Sequence, residues 1–268
     1  MLAALIAAAV TTTPVPPASP TPRPNVHPAL WVVNDEDTII YLFGTFHALD
    51  GKSEWFNDEV RTAFSSSEEL VLETIVPDSL KKRVPQRPAP QGVGMQTVGP
   101  FAGSASFLST SKMVMSAGRS QGMSTDHGAD AILREAADTA GIPVNGLETF
   151  DFQLGMFGKM PGAKPPADPA EAARTKAAVA AVLAQLQSDW NRGDVEGFVP
   201  MLEQMEARSP ATYKLLFNDR NNRWAFWIAK RLRQPGVVFV AVGAGHLAGK
   251  DSVQQKLSLY GIRTTRVN

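Results

Sequence analysis

The 268-residue chain contains no cysteine, and this absence excludes several kinds of chemistry. Without a thiol there is no disulfide, no thiolate metal ligand, no cysteine nucleophile and no lipid anchor on cysteine. The chain also has only four histidines. Any catalytic or metal-binding centre therefore depends on oxygen groups and on very few imidazoles.

An excess of charge of either sign is also missing, because 26 lysines and arginines are matched by 26 aspartates and glutamates. A protein that binds nucleic acid through counterion release normally has a basic excess. We therefore expect no nucleic-acid partner. The remaining partner classes are a peptide or a small-molecule substrate, and the sequence does not indicate an oligomeric state.

The apolar run at the N-terminus, Met1–Val10, is too short to cross ~30 Å of hydrocarbon as a helix that rises about 1.5 Å per residue. It matches the apolar region of a secretory signal, with Ala7-Ala8-Ala9 as a small-residue cleavage site. The Thr/Pro/Ser tract Thr11–Pro28 that follows is predicted to be an extended spacer. We expect no transmembrane span and a periplasmic or secreted protein.

Strand and helix patterns begin after this spacer, in a predicted single domain over residues 29–268. Two β-rich runs, Ala29–Val33 and Thr38–Gly44, flank a polar turn and predict a hairpin. Apolar residues at helical spacing in Ser53–Phe64 and the short apolar run Glu69–Thr74 follow. Strand, helix and strand in this order predict a βαβ unit with a parallel pair of strands.

The later part of the chain predicts more strands around a mostly helical middle. Short apolar runs predict strands at Ile142–Leu147 and Val237–Val242, and a last strand is expected at Arg263–Val267. The sequence pattern of residues 77–124 predicts a mobile excursion that contains a helix. The pattern of residues 158–218 predicts a helical insertion. Asp168 and Asp219 are expected to cap helices. The predicted fold is α/β (α+β), with a central mixed, largely parallel sheet flanked by helices.

Two histidines follow apolar strands in the same Gly-x-x-His pattern. His47 ends Gly44-Thr45-Phe46-His47, and His246 ends Gly243-Ala244-Gly245-His246. Two glutamates, Glu73 and Glu148, also stand at the ends of predicted strands. Because ligands bind at the carboxyl ends of parallel strands, we expect these four groups to converge on one edge of the sheet. The glycines would let the backbone approach a ligand closely.

Each of these residues also has a purely structural interpretation. The two histidines fit surface or loop positions, and Glu73 fits a helix cap or a salt bridge. A buried carboxylate is unfavourable unless it is paired or bound to a cation, which favours function for Glu73. Glu148 fits the start of a helix, where acidic groups are stabilising. His27 in the spacer and His127 at a helix start are expected to lie outside the centre.

Arg220 and Arg223 stand in the first turn of the predicted helix Arg220–Arg233. Cations at this end of a helix oppose its dipole, so we expect an anionic partner. The candidates are Asp219, Glu148 and an anionic group of a substrate.

Five motifs occur in a fixed order: GTFH, LVLET, GLET followed by Gln153, DRNNRWA and VAVGAGHL. With them the chain resembles the TraB/GumN family, which includes the Tiki-type Wnt-cleaving metalloproteases, over about residues 29–267. The resemblance implies an α/β domain with a metal-dependent hydrolase centre. Carried over, its residues are His47, Glu73, His246 and Arg220.

The first hypothesis is a metal-dependent, peptidase-like hydrolase of the cell envelope or a secreted one. His47, Glu73 and His246 would bind a divalent ion, and zinc, manganese and cobalt all remain open because no sulfur ligand discriminates among them. Arg220 would stabilise an oxyanion, and Glu148 would serve either as a base or as an outer group that supports the metal ligands. Two alternatives remain. One is a metal-free, esterase-like hydrolase with His47 and Glu73 as base and acid, and the other is an envelope ligand-binding protein.

Overall fold

A mixed β-sheet organises the chain in this computed structural model, which describes residues 26–77, 105–160, 166 and 168–268. Its strands within those residues are β1 Leu30–Asn34, β2 Thr38–Thr45, β3 Glu69–Thr74, β4 Val144–Glu148, β5 Gly236–Gly243 and β6 Thr265–Arg266. The strand order is β4-β3-β5-β2-β1-β6. Neighbouring strands from β4 to β2 are parallel, whereas β1 and β6 join antiparallel at one side. The predicted mixed, largely parallel sheet is confirmed.

The hairpin of β1 and β2 is confirmed, with Leu30 opposite Phe43. The βαβ prediction is wrong in one respect, because β2 and β3 are parallel but not adjacent. Strand β5, from the far end of the chain, lies between them and pairs with both. A local sequence pattern predicts the relative direction of two strands. It does not show whether a strand from a distant part of the chain lies between them.

Helices flank the sheet on both faces, as predicted. They are α1 Asp58–Ser65, α2 Ala105–Ser120, α3 Ala129–Ala140, α4 Phe150–Gly158, α5 Pro169–Asn191, α6 Val199–Arg208, α7 Pro210–Tyr213, α8 Asp219–Arg231 and α9 Val253–Ser258. The cap of α5 is confirmed, because the Asp168 carboxylate accepts the backbone N–H of Glu171 at 2.8 Å. Helices α5 to α7 occupy the predicted insertion. The organisation of residues 29–268 as a single domain stays a prediction.

The predicted cap at Asp219 is wrong. Helix α7 continues through a π-helical turn, Lys214–Asn218, directly into α8. Asp219 instead forms an ion pair with Lys214. Arg220 therefore lies inside a continuous helical segment, so the expectation of an anionic partner cannot rest on a free helix start.

Strand β5 is buried on both faces, which explains its unbroken apolar sequence. Phe239 and Ala241 join one core with side chains from α1, α3 and α5. The alternate residues Val238, Val240 and Val242 join a second core with Trp224 and Ile228 of α8. The end of β5, where Gly243 lies, is therefore packed against side chains on both faces of the sheet.

Some sequence predictions fall outside the described residues. The predicted signal and almost all of the spacer lie in residues 1–25, and most of the excursion before α2 lies in residues 78–104. The first described residue, Val26, is buried, and the backbone N–H of His27 donates to the carbonyl of Asn191 at 3.0 Å. Residues 26 and 27 therefore already contact the folded domain, slightly before its predicted start at residue 29. None of the described helices has both the length and the apolar character that a membrane span requires.

Trp190 of α5 ties the helical layer to the end of β2, because its indole N–H donates to the carbonyl of Gly44 at 2.7 Å. Trp190→Phe removes this buried hydrogen bond and is expected to lower the free energy of unfolding by roughly 1–3 kcal/mol in urea denaturation. Trp227→Phe, at a half-buried tryptophan of α8, is the matched control. An equal, small effect of both changes would contradict a special role for the Trp190 contact.

Candidate active site

Three of the predicted site residues meet at the carboxyl edge of the sheet, around Gly243. Thr45 of β2 stands opposite Gly243 in register, and Leu72 of β3 stands opposite Ala241. A methyl group placed on Gly243 would lie 3.2 Å from Oε1 of Glu73, 3.3 Å from Nε2 of His47 and 3.7 Å from Cδ2 of His246. The two histidines and the glutamate therefore surround one small space that only glycine leaves open.

Arg220 connects this space to the fourth predicted residue. Its Nη2 donates to Oε2 of Glu73 at 2.6 Å, and its Nε lies 3.1 and 3.0 Å from the two carboxylate oxygens of Glu148. Its Nη1 lies 3.1 Å from Nε2 of His246. The side chains of Arg220 and Glu148 are only 5% and 3% exposed, so these charges depend on one another.

Glu148 is held by two arginines. Besides Arg220, Nη2 of Arg223 lies 3.2 Å from its Oε1, and the Arg223 guanidinium stacks over the ring of Phe152. Of the partners predicted for Arg220, Glu148 is therefore confirmed. Glu73 is a further partner of Arg220 that was not among the predicted ones. With both oxygens engaged, Glu148 is placed to position Arg220, and its role as a base stays a prediction.

His246 is fixed by Asn221, the residue that follows Arg220 on α8. Nδ2 of Asn221 donates to the carbonyls of His246 and Asp251 at 3.3 and 2.7 Å, which turns its Oδ1 towards Nδ1 of His246 at 2.6 Å. His246 therefore carries its proton on Nδ1 and presents the lone pair of Nε2 to the site. Burial lowers the pKa of His246 to about 3, so the imidazole is neutral.

His47 has an analogous partner in Asp130, whose Oδ1 lies 3.1 Å from its Nδ1. The start of α3 is pressed against the His47 loop, because the N–H of Ala129 donates to the carbonyl of Phe46 at 2.9 Å. Only glycine fits at position 128, since a Cβ there would lie 2.3 Å from the carbonyl oxygen of His47. This close packing places Asp130 beside the imidazole.

The charges around the cluster shift the pKa values of His47 and Glu73 in opposite directions. Loss of solvation opposes protonation of His47, but the hydrogen bond and charge of Asp130, with the charge of Glu73, raise its pKa to about 9. Burial opposes ionisation of Glu73, yet the positive charges of Arg220 and His47 favour the carboxylate and lower its pKa to about 2. Oε1 of Glu73 also accepts the N–H of Gly243 at 2.7 Å. Without a metal ion, the cluster gathers positive charge around an ionised glutamate.

Sequence reasoning did not identify Asp130 or Asn221 as site residues. Asn221 lies inside the DRNNRWA motif, so its neighbour Arg220 is the signal that points to it. Asp130 lies in the first turn of a helix that is distant in sequence from His47, and only the tertiary contact reveals it.

The other two histidines lie in the settings that the sequence predicts. Nδ1 of His27 lies 3.6 Å from Oε2 of Glu59, and the His27 side chain is largely exposed. His127 ends a helical turn, Thr125–His127, and its ring packs against Gly51. Neither enters the cluster around Gly243.

A cavity of about 480 Å³ adjoins the cluster and shares His47, Gly243 and His246 with it. The rest of its wall is mainly apolar and comes from α2, α5, α6 and the turns beside them: Val114, Met115, Leu183, Leu186, Phe198, Met201 and Phe217. The volume lies within the range of roughly 300–1,000 Å³ that is usual for small-ligand sites.

An α/β protein with a His/Glu/Arg cluster at the carboxyl edge of a largely parallel sheet, exposed at His47 and buried at its other members, is thus the class that fold and site define. Residues 29–89 and 75–266 match the model of the TraB/PrgY/gumN family. The chain belongs to this family, which confirms the resemblance of its motifs. Neither a curated protein nor a solved structure matches the chain.

Arg220 is expected to be essential for stability, because its removal leaves the carboxylates of Glu73 and Glu148 buried without their main partner. Arg220→Met should lower the free energy of unfolding at pH 7 by roughly 3–5 kcal/mol in chemical denaturation. Arg223→Met is the matched control on the same helix. Its side chain is 47% exposed and binds the same glutamate, so its loss should cost about 1 kcal/mol or less. Equal losses in the two variants would contradict this account.

Proposed function

We propose that this protein is a metal-dependent hydrolase with peptidase-like activity. One observation carries the proposal: two imidazoles, each with its Nδ1 held by an acceptor, stand with a carboxylate around the space over Gly243. Metal-binding histidines typically have such an outer partner, which fixes the ring and leaves the other nitrogen free for the ion.

The donor set suits a divalent ion. Nε2 of His47, Nε2 of His246 and a carboxylate oxygen of Glu73 are ligands that zinc, manganese and cobalt accept. Among the described side chains, no three histidines or acidic residues form a ready-made metal site. Nη1 of Arg220 lies 3.1 Å from Nε2 of His246 and takes the lone pair that a metal would use.

Metal binding therefore requires Arg220 to release His246, and it requires His47, whose raised pKa keeps it protonated at neutral pH, to lose its Nε2 proton. The guanidinium has five N–H donors, and its contacts with Glu148 do not involve the imidazole. We infer that Glu148 and Arg223 keep Arg220 beside the site when His246 binds an ion. Glu148 would then act as a positioning residue for Arg220.

A divalent ion bound there would polarise the scissile carbonyl and lower the pKa of water towards about 7. In amide hydrolysis, water adds to the carbonyl carbon and the C–N bond breaks, giving a carboxylate and an ammonium product whose nitrogen has taken both protons of the water. The N–H groups of Arg220 would stabilise the negative charge that develops on the carbonyl oxygen. Asp130 and Asn221 would keep the two imidazoles oriented throughout.

The cellular setting stays part of the proposal. The N-terminal apolar run supports export, which would place the hydrolase in the periplasm or outside the cell. Expression of the full chain with detection in separated cell fractions would test this directly.

Untagged protein is expected to bind about one divalent ion per chain, measured by elemental analysis and by calorimetric titration with zinc, manganese and cobalt. His246→Ala and Glu73→Gln should each weaken this binding at least tenfold, because each removes one of the proposed donors. His27→Ala, at a histidine outside the cluster, is the control and should bind like wild type. Wild-type protein that takes up no ion under any of these conditions would contradict the metal proposal.

Gly243→Ala tests the shape of the site without removing a donor. The added methyl group would lie between Glu73 and His47, so metal affinity should fall at least tenfold in the same titration. Gly155→Ala, where a methyl group meets no atom within 4 Å, is the matched control. Unchanged affinity in Gly243→Ala would show that the ion binds elsewhere.

Turnover of a broad panel of peptides and esters separates the two alternatives from the main proposal. Ester hydrolysis that survives chelators but is lost in His47→Ala would favour the metal-free hydrolase. An absence of turnover, together with binding of a small molecule that requires His246, would favour a ligand-binding protein.

A further inference from the structure

The cavity next to the cluster is large enough to hold a ligand group of substantial size. At about 480 Å³ it is roughly three times the ~150 Å³ of an apolar cavity that holds one benzene ring. Met115 of α2, Leu183 of α5 and Met201 of α6 contribute apolar side chains to its wall. An apolar group of substantial size therefore fits beside the candidate centre.

One polar group in this apolar wall has no hydrogen-bond partner among the described residues. Thr45, which is 2% exposed, lines the cavity, and its Oγ1 forms no hydrogen bond with any residue that the structure describes. Thr45 is opposite Gly243 in the sheet register, so it stands directly beside the cluster. A buried hydroxyl without a partner is unfavourable, and a ligand group that bonds with it after rotation of the side chain towards the cavity would relieve this.

We propose that the site takes peptides with a large apolar side chain next to the scissile amide, and that Thr45 binds the peptide backbone. This inference rests on the proposed hydrolase function and names its substrate class. A peptide offers both features that the cavity calls for, an apolar side chain and a nearby amide group. A fatty acyl chain would fill the apolar volume but would leave the Thr45 hydroxyl unpaired.

Binding of short hydroxamates to the full-length, zinc-loaded protein tests the inference. N-acetylphenylalanine hydroxamate should bind at least tenfold more tightly than N-acetylglycine hydroxamate, since burial contributes about fourfold per methylene. The matching carboxamides, which chelate metal poorly, should bind more weakly but show the same preference for phenylalanine. Calorimetry measures all of these affinities without any turnover.

Thr45→Val removes the hydroxyl and keeps the shape of the side chain. It should weaken N-acetylphenylalanine hydroxamate about fivefold. It should leave 3-phenylpropanohydroxamate, which has the same ring but no acetamido group, unaffected. Equal loss for both probes, or none for either, would overturn the role of Thr45.

Met115→Asp places a carboxylate in the wall of the cavity, at a side chain that is already half-exposed and tolerant of change. It should lower affinity for the phenylalanine probes at least tenfold and spare the glycine probes. Val182→Asp, at an equally exposed residue of α5 outside the cavity wall, is the matched control and should have no effect.

The outcomes separate this inference from the function on which it rests. Equal affinity of hydroxamates and carboxamides would contradict the metal proposal, while a retained preference for phenylalanine would still support the apolar site. Equal affinity for glycine and phenylalanine probes would overturn the inference. Tighter binding of decanohydroxamate than of N-acetylphenylalanine hydroxamate would also overturn it and indicate a site for an acyl chain.

Discussion

The ion pairs of Arg220 with Glu73 and Glu148 are the interaction on which the rest of the site depends. All three side chains are at most 12% exposed, and buried charges of this kind are stable only while they are paired. Helix α8 supplies Arg220 and also Asn221, which orients His246. One helical turn thus fixes the charge balance and one of the two imidazoles. The same guanidinium occupies the lone pair of His246, so Arg220 and a metal ion compete for the centre of the cluster.

The site also depends on the position of β5 between β3 and β2. This order brings Glu73 from one neighbour and His47 from the other towards Gly243. A side chain at position 243 would fill the space that the three groups share. The glycines of the two Gly-x-x-His motifs therefore have a spatial role here: Gly243 leaves room for the site, and a methyl group on Gly44 would meet Ala244 at 3.3 Å.

Much of this arrangement could be predicted from the sequence, because it follows from local patterns. Apolar runs reveal the strands, and the rule that ligands meet the carboxyl ends of parallel strands places His47, Glu73 and His246 at one edge. The order of the strands could not be predicted, since β5 inserts from the far end of the chain. Asp130 was missed for the same reason, as only the packing of α3 on the His47 loop brings it close. The continuous helix through Lys214–Asn218 could not be predicted because Asp219 resembles the start of a new helix.

The central claim is that two imidazoles and Glu73 form a metal site that Arg220 occupies in part when no ion is bound. The most direct measurement is anomalous diffraction at the zinc edge from crystals grown with zinc. The account predicts one strong peak at about 2.0–2.2 Å from Nε2 of His47, Nε2 of His246 and a carboxylate oxygen of Glu73. It also predicts that Nη1 of Arg220 has moved away from His246 while its contacts with Glu148 persist. A peak elsewhere, or no peak with the Arg220–His246 contact intact, would contradict it.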